Sequence, residues 1–253
     1  MAVNELEIIY RDDTYIAINK PAGLLVHPSI IDRHETDNAL DLLQQQIGQP
    51  AYMIHRLDKP TSGILMFGLS SEAARKSVAT FSTGEVRKTY LAVVRGYTEE
   101  QQVIDSPLKP VKDKIMVGRE KQNKAPKAAL TRIQKLAQAE LPVAVGRYST
   151  ARYSLVEVHP KTGKMHQIRR HLKHIRHPVV GDTNYGDPVH NRFFRERWNA
   201  HRLMLAATQL EFLHPFTREK VQITAPLDPL FVSILSDLDW LGVIPDTWLN
   251  PQN

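Results

Sequence analysis

The sequence predicts an α+β fold, a single domain rich in antiparallel strands. Short β-rich runs are joined by tight turns, which favours hairpins over parallel crossover units. Helical spacing of apolar residues is confined to a few segments. The 253 residues contain no internal repeat, no low-complexity tract and no composition break that would mark a linker. We therefore expect one domain over residues 1–253.

Turn and capping residues delimit the elements of the first half of the chain. Arg11-Asp12-Asp13 separates two apolar runs as a hairpin turn would. A helical spacing that begins at Asn38 is stopped by Gly48, and Ser70 has the chemistry of a helix N-cap. The predicted elements are strands at 6–10 and 15–19, a helix at 38–47, a buried strand at 64–69, a helix from 70 to about 81 and a strand at 89–94.

The second half begins with residues 105–128, which are rich in Lys and Pro and show no clear period. Such a long segment within a compact domain is usually a functional or disordered loop. Beyond it, alternation and helical spacing return. They predict a strand at 148–158, a helix at 165–175, a hairpin of 209–213 with 220–224, and a closing helix at 228–240.

Composition excludes several classes of protein. The chain has no Cys, which rules out disulfide frameworks, thiolate metal sites, iron–sulfur clusters and Cys nucleophiles. No apolar run approaches the roughly 18 residues that a membrane helix needs. The N-terminus lacks the basic and apolar regions of a signal peptide. We therefore expect a soluble cytoplasmic protein that does not bind membranes.

The net charge of +6 is concentrated in two segments. Residues 109–135 hold nine basic residues against two acids, and residues 161–177 hold six basic residues, four His and no acid. The rest of the chain is therefore acidic overall. Localised basic charge is typical of a polyanion-binding surface, although solvated charged faces are the alternative. Two such segments on an otherwise acidic chain favour the polyanion.

The segment HRLDKPTSG at 55–63 places a carboxylate in a turn between two cations. Asp58 lies between Arg56 and Lys59, just before the predicted buried strand. Nearby positive charge favours the ionised form of a carboxylate, which suits a nucleophile or a general base. Alternatively, Asp58 pairs with Arg56 or caps the turn that follows. Taken alone, the segment is only a candidate site.

The segment TGKMHQIRRHL at 162–172 predicts a helix with two different faces. Arg169 lies at the edge of an apolar stripe that should face the core, whereas Arg170 points to solvent. A partly desolvated Arg169 needs an anionic partner, because a buried unpaired charge is costly. Asp58 is the obvious candidate for that partner. The stripe consists of Met165, Ile168, Leu172 and Ile175.

The outer face of this helix suits phosphate groups rather than a metal ion. His166, Arg170 and Lys173 lie there and can meet phosphates. Six cations and no carboxylate occupy the stretch, and no HExxH pattern occurs, so we expect no metal site. A solvated cluster that faces a nucleic acid is favoured instead. The histidines concerned are His166, His171, His174 and His177.

Tyr90 follows Lys88 and Thr89 at the mouth of the strand predicted at 89–94. An aromatic ring in this position is commonly packed in a core. Beside a nucleic-acid groove it can instead stack on an extruded base. The spacing leaves both interpretations open.

Together the motifs resemble those of the RluA family of pseudouridine synthases. Their order along the chain matches that family, and several ordered motifs leave little room for a chance match. The resemblance implies one catalytic domain, built on a mixed, mainly antiparallel bent sheet flanked by helices, without a separate S4-type RNA-binding domain. The motifs are NKPAG at 19–23, HRLDKPTSG at 55–63, KTYLAVVRG at 88–96, TGKMHQIRRHL at 162–172 and HPVVGDTNYGD at 177–187.

The resemblance also implies roles for the matched residues. Asp58 would be the catalytic aspartate, acting on C1′ or C2′ of the nucleotide or on C6 of uracil. Tyr90 would stack on the flipped uracil and help to remove its C5 proton, while Arg169 would pair with Asp58. From the motifs and the basic segments, we expect RNA to be bound by His55, Arg56, Lys121, Lys124, Lys127, Lys164, His166, Arg170 and Lys173.

The implied reaction isomerises uridine to pseudouridine in RNA and needs neither a cofactor nor a metal. Only one carboxylate stands in the three motifs HRLDKPTSG, KTYLAVVRG and TGKMHQIRRHL, whereas a glycoside hydrolase usually needs two. A purely RNA-binding module would have no need of Asp58 in a basic groove. The sequence is most similar to enzymes that modify uridine 65 of tRNA, with rRNA as the alternative substrate, and we expect a monomer. Met165 and Ala206 depart from the family's usual residues, which bears on substrate detail rather than on chemistry.

Overall fold

The structure, a computed structural model, describes residues 5–28, 37–83, 85–111 and 125–250. Strands and helices alternate irregularly along the chain. In order, they are β1 (Ile8–Arg11), β2 (Tyr15–Lys20), α1 (Ala39–Ile47), β3 (Tyr52–Met53), β4 (Ser62–Gly68), α2 (Ser71–Thr83), β5 (Arg87–Arg95), β6 (Gln101–Asp105), β7 (Leu130–Leu141), β8 (Ala151–Pro160), α3 (Gln167–His174), α4 (Pro188–Trp198), β9 (Leu205–Leu213), β10 (Lys220–Thr224), α5 (Pro229–Asp237), a 3₁₀ turn (Leu241–Val243) and α6 (Asp246–Leu249).

The described strands form a ten-stranded sheet in the order β1-β2-β4-β9-β5-β8-β7-β6, with β3 added to β4 and β10 added to β9. One pairing between these strands is parallel. It joins β4 to β9 through Ser62 opposite Ala206 and Gly63 opposite Ala207. The other pairings are antiparallel, which confirms the predicted α+β class and its mainly antiparallel sheet.

Strand β4 is buried along its whole length because helices cover both of its faces. Leu65 and Phe67 pack in one apolar cluster with Leu43 of α1. Ile64 and Met66 point the other way and pack in a second cluster with the start of α2. The period of two along a strand produces this division. Further along the sheet, β5 and β8 share a third cluster with α3, α4 and α5.

The predicted elements of the first half are confirmed, with small changes at their ends. Asn38 caps α1 by accepting the backbone N–H of Asp41 at 3.0 Å. Gly48 ends that helix with a φ of +67°, a left-handed conformation that glycine adopts readily. The Ser70 hydroxyl accepts the N–H of Ala73 at the start of α2. The residues that predicted the helix ends from the sequence are therefore the ones that cap α1 and α2.

The second half departs from prediction in several places. Strands β6 and β7 and helix α4 were not expected, and part of the segment predicted as a loop, 112–124, lies outside the described residues. Helix α3 begins at Gln167 instead of Met165, because His166 takes a left-handed conformation with a φ of 54°. Met165 is 47% exposed, so its place in the apolar stripe was wrong, whereas Ile168 and Leu172 are buried as predicted.

Within the described ranges, no helix is both long and apolar enough to cross a membrane.

Candidate active site

Asp58 lies in the loop between β3 and β4, and the loop is fixed from both sides. The backbone carbonyl of Asp58 accepts the N–H of Thr61 at 3.0 Å, which closes a tight turn. Leu57 is buried against the core below it. At the other end, Gly63 has a φ of +102°, and a Cβ there would lie 2.1 Å from the carbonyl oxygen of Ala207. Glycine is therefore required where β4 meets β9.

Lys20 ties this loop to the turn that follows β2. Its side chain is fully buried, and its Nζ donates to the carbonyl oxygens of Pro21, Leu24 and Lys59 at 2.8, 2.9 and 3.1 Å. Burial, followed by the positive charge of Arg202, lowers the pKa of Lys20 to about 7. The backbone of the Asp58 turn is thus held by a buried amine rather than by a surface contact.

Arg169 holds the Asp58 side chain from α3. Its Nη1 donates to Asp58 Oδ2 at 3.0 Å, while Nε and Nη2 form a two-pronged contact with Asp182 at 2.7 and 2.8 Å. The side chain of Arg169 is 3% exposed and that of Asp58 is 25% exposed. Because Asp182 already balances the guanidinium charge, the group of three keeps a net negative charge at the carboxylate nearest the solvent.

The pKa directions follow from this arrangement. Burial acts to raise the pKa of Asp182, but hydrogen bonds from Arg169 and from two backbone N–H groups outweigh it, so the pKa is lowered. Burial acts to lower the pKa of Arg169, but Asp182 and Asp58 outweigh it, so that pKa is raised. Each partner therefore stabilises the charged form of the other.

His166 forms a second wall beside Asp58. Its Nδ1 lies 3.0 Å from the hydroxyl of Tyr185, and its Nε2 lies 3.9 Å from Asp58 Oδ1. The Tyr185 ring also lies under the guanidinium of Arg169, 5.2 Å from Cζ to the ring centre. Burial lowers the pKa of His166, although the charge of Asp58 opposes the shift. The imidazole is therefore mostly neutral near pH 7.

Tyr90 reaches the same space from β5, at a bulge in the pairing of β5 with β9. Its ring is half-buried and packs against two of the apolar clusters. Burial raises the pKa of Tyr90, and the charge of Asp58 adds to the effect, so the phenol is protonated at neutral pH. Both roles weighed for this residue, core packing and a stacking surface, are thus compatible with one position.

A cavity of about 470 Å³ is lined by four of these residues, namely Asp58, Tyr90, His166 and Arg169. That volume lies within the roughly 300–1,000 Å³ of small-molecule sites. The cavity brings together most of the residues selected from the motifs. They are Asp58, Tyr90 and Arg169 of the catalytic set, with His55, Arg56, Lys164 and His166 of the RNA-binding set.

The remaining RNA-binding candidates lie elsewhere. Arg170 and Lys173 do not line the cavity, and Lys173 is exposed on the outer side of α3. Lys127 is exposed beside Leu108, with which it forms a backbone bridge. Lys121 and Lys124 lie outside the described residues. RNA binding by this group therefore stays a prediction from charge.

One histidine of the predicted solvated cluster is in fact buried. His171 is fully enclosed, with Nδ1 2.9 Å from the hydroxyl of Thr131 and Nε2 3.0 Å from the carbonyl oxygen of Ser106. A nearby residue, Gln167, also binds the start of β7 through Leu130 and Thr131. His171 therefore anchors α3 to the sheet and does not face solvent.

Four residues of the site and its surroundings were not predicted from the sequence: Asp182, Lys20 and, in the cavity wall, Phe81 and Lys88. Asp182 is 2% exposed. A signal for it was present, since a carboxylate that follows the buried pair Val179 and Val180 after a single glycine needs a cation. Lys20 carried a similar signal, a lysine at the end of an apolar strand.

The chain is similar to known proteins over most of its length. A family model described as RNA pseudouridylate synthase matches residues 14–174. The chain is 50% identical to tRNA pseudouridine synthase C of Vibrio cholerae over 235 residues, covering 93% of this chain and 96% of that protein. It is also 50% identical to the protein of the same name from Haemophilus ducreyi, covering 93% and 97%.

A solved structure extends the likeness to three dimensions. Human RNA pseudouridylate synthase domain containing 1 superposes with a TM-score of 0.69 at 28% identity, covering 90% of this chain and 86% of that one. The chain therefore belongs to the RNA pseudouridylate synthase family. It is an isomerase that acts on RNA and converts uridine to pseudouridine.

Proposed function

We propose that this protein modifies uridine 65 of tRNA, with Asp58 as its catalytic carboxylate. The tRNA substrate is supported by relatives named tRNA pseudouridine synthase C that match nearly the whole chain. The observation that carries the chemistry is the Asp58 carboxylate, oriented by Arg169 at 3.0 Å in a cavity of suitable size. Within the same family, rRNA remains the second candidate substrate.

The reaction breaks the N1–C1′ bond of uridine, turns the uracil and joins C5 to C1′. The C5 proton leaves and N1 gains a proton, so the change is an isomerisation without net redox chemistry. Asp58 has one oxygen fixed by Arg169 and the other facing His166 at 3.9 Å. The carboxylate can attack C1′ or C6, or remove the proton at C2′, and all three routes start from this same ionised group.

Tyr90 would hold the flipped base through its ring. Because burial and the charge of Asp58 both keep the phenol protonated, stacking is the role that its resting state supports directly. Extrusion of a base costs a few kcal/mol, which stacking on Tyr90 and hydrogen bonds in the cavity would offset. Tyr90 would help to remove the C5 proton only after the negative charge near Asp58 has changed, because that charge helps to keep the phenol protonated.

The substrate proposal is tested by mapping pseudouridine in bulk tRNA and rRNA from a strain that lacks this protein. We expect one tRNA position, uridine 65, to lose the modification, and re-expression of the wild-type protein to restore it. The Asp58→Asn protein is the matched control and should not restore it. Loss of a pseudouridine in rRNA, with tRNA unchanged, would replace tRNA by rRNA as the substrate.

We also propose that the protein acts as a monomer in the cytoplasm and that residues 1–253 work as one catalytic domain. A single sheet and a cavity lined by residues 54–205 of one chain support the monomer and the single domain, while relatives named for their action on tRNA support the cytoplasm. Light scattering during gel filtration, with and without tRNA, tests the monomer. A mass of two chains at the concentrations used for activity would contradict it.

A further inference from the structure

One part of the cavity wall, away from His166, is not used by the chemistry described above. It is formed by Phe81 of α2, Lys88 of β5 and His55 of the loop before β4. The Phe81 ring stacks on the His55 imidazole, with centres 5.1 Å apart and planes 17° apart. The Lys88 Nζ lies 5.1 Å from the centre of the same Phe81 ring. Side chains from α2, β5 and the loop before β4 thus meet at this part of the cavity wall, around the Lys88 ammonium group.

Lys88 is half-buried in the cavity wall and has no acidic partner, unlike Lys76 and Lys135. Lys76 and Lys135 form ion pairs at 3.0 and 2.7 Å with Glu72 and Glu100. In the part of the chain that the structure describes, no such ion pair includes Lys88. Burial lowers its pKa, and no acid compensates. A desolvated cation without a counter-ion destabilises the free protein, which is expected where a ligand supplies the anion.

His55 carries no charge at this wall. It is therefore neither a counter-ion for Lys88 nor a second cation that could bind the ligand's anion. Its Nε2 accepts the backbone N–H of Met66 at 3.1 Å. Burial and the nearby charge of Lys88 lower the pKa of His55 to about 3, so the ring is neutral. The aromatic face of Phe81 offsets only part of the charge on Lys88. One positive charge therefore remains for a ligand at this wall.

We propose that Lys88, held against Phe81, binds a phosphate oxygen of the RNA strand next to the flipped uridine. Tyr90 lies two residues further along β5 and lines the same cavity, so the two side chains start about 6–7 Å apart along the strand. The base on Tyr90 and the phosphate on Lys88 would then belong to one short stretch of RNA. The inference rests on the proposed function for the identity of that RNA.

The test compares Lys88→Met with Lys76→Met. Both changes remove one positive charge from a lysine that contacts an aromatic ring, but Lys76 lies outside the cavity and contacts Phe216. We expect Lys88→Met to raise KM for RNA about 5- to 10-fold and to reduce the slope of log affinity against log salt by about 0.7–0.9, one phosphate contact. Its melting temperature should stay level or rise. Lys76→Met should change neither KM nor the melting temperature.

Unchanged affinity and an unchanged salt slope for Lys88→Met would overturn the proposal. So would a lowered melting temperature with normal affinity, which would indicate a structural role alone. A substrate with one neutral methylphosphonate linkage beside the target uridine identifies the phosphate, because the wild type and Lys88→Met should bind it equally at the correct linkage. The proposal would also be overturned if the wild type bound the modified substrate more tightly than Lys88→Met whichever of the two linkages beside the target uridine was neutral. The RNA used in this test is the one that the wild type modifies. An rRNA substrate in place of tRNA would therefore be detected by the pseudouridine mapping, independently of the Lys88 test.

Discussion

Arg169 and Lys20 are both buried cations that hold the Asp58 turn, but their partners differ. Arg169 contacts two carboxylates, those of Asp58 and Asp182, and its pKa is raised. Lys20 donates to three backbone carbonyls, and its pKa is lowered to about 7. One cation orients the Asp58 side chain with a permanent charge. The other fixes the backbone below it, at a free-energy cost that depends on pH.

Removal of the Asp58 carboxylate should have the largest effect on activity. Asp58→Asn should lower kcat by at least about 10³-fold, since removal of a nucleophile or base commonly costs that much or more. RNA affinity should stay within a few-fold, because the amide fits the same space. Single-turnover assays with excess enzyme measure both quantities. Asp13→Asn, an exposed aspartate in the turn before β2, is the control, and substantial activity in Asp58→Asn would rule out its catalytic assignment.

Removal of the first cation should cost stability as well as activity. Arg169→Ala leaves Asp58 and Asp182 without their shared partner, which should destabilise the fold by roughly 3–5 kcal/mol, the usual cost of breaking a buried pair. Urea unfolding measures this loss. Arg170→Ala removes the neighbouring, half-exposed charge and should leave the free energy of unfolding nearly unchanged. Equal stability of the two variants would contradict the buried network.

Replacement of the second cation should instead change how stability depends on pH. The pKa of Lys20 is lower in the folded protein than its ordinary value of 10.5, so between about pH 7 and 10.5 the unfolded chain binds more protons at this residue. Its contribution to stability therefore rises with pH across that window. The free energy of unfolding of the wild type, relative to Lys20→Met, should increase between pH 7 and pH 9.5. A constant difference would mean that Lys20 keeps its ordinary pKa.

The cations of the basic segment 109–135 should give the smallest effect, and the effect should be confined to RNA binding. Neutralising Lys121, Lys124 and Lys127 to Gln should weaken RNA affinity and flatten its salt dependence by up to about 2–3 in slope, without a change in unfolding. Filter binding at several salt concentrations measures this. A matched triple replaces three exposed cations elsewhere, namely Lys76, Arg218 and Lys220. The same slope in both triples would mean that residues 121–127 do not contact RNA.

The sequence predicted those parts of the fold that local signals determine. Asn38, Gly48 and Ser70 act at helix ends as their side chains suggest. The pairing of Arg169 with Asp58 also followed from local reasoning, because a charge at the edge of a buried face requires a partner. The distance of 3.0 Å between the two side chains confirms that contact.

Other features depend on neighbours that no local pattern reveals. Strand β7 carries Gln, Lys, Ala and Glu, which favour helix, and becomes a strand because β6 and β8 pair with it on both sides. His171 looked solvated within a basic helix and is enclosed by Thr131 and Ser106 from distant segments. The Lys88 wall likewise requires Phe81 from another element.

The position of β9 between β4 and β5 has a consequence for the synthesis of the enzyme. β4 and β5 are neighbouring strands of the sequence that are not paired with each other. Asp58 and Tyr90 are held on one sheet by β9, which begins more than a hundred residues after β5 ends. Contacts of such long range form slowly. A nascent chain that ends before residue 205 contains Asp58 and Tyr90 but lacks the strand that joins β4 to β5, so we expect modification of RNA to begin only once β9 has been made.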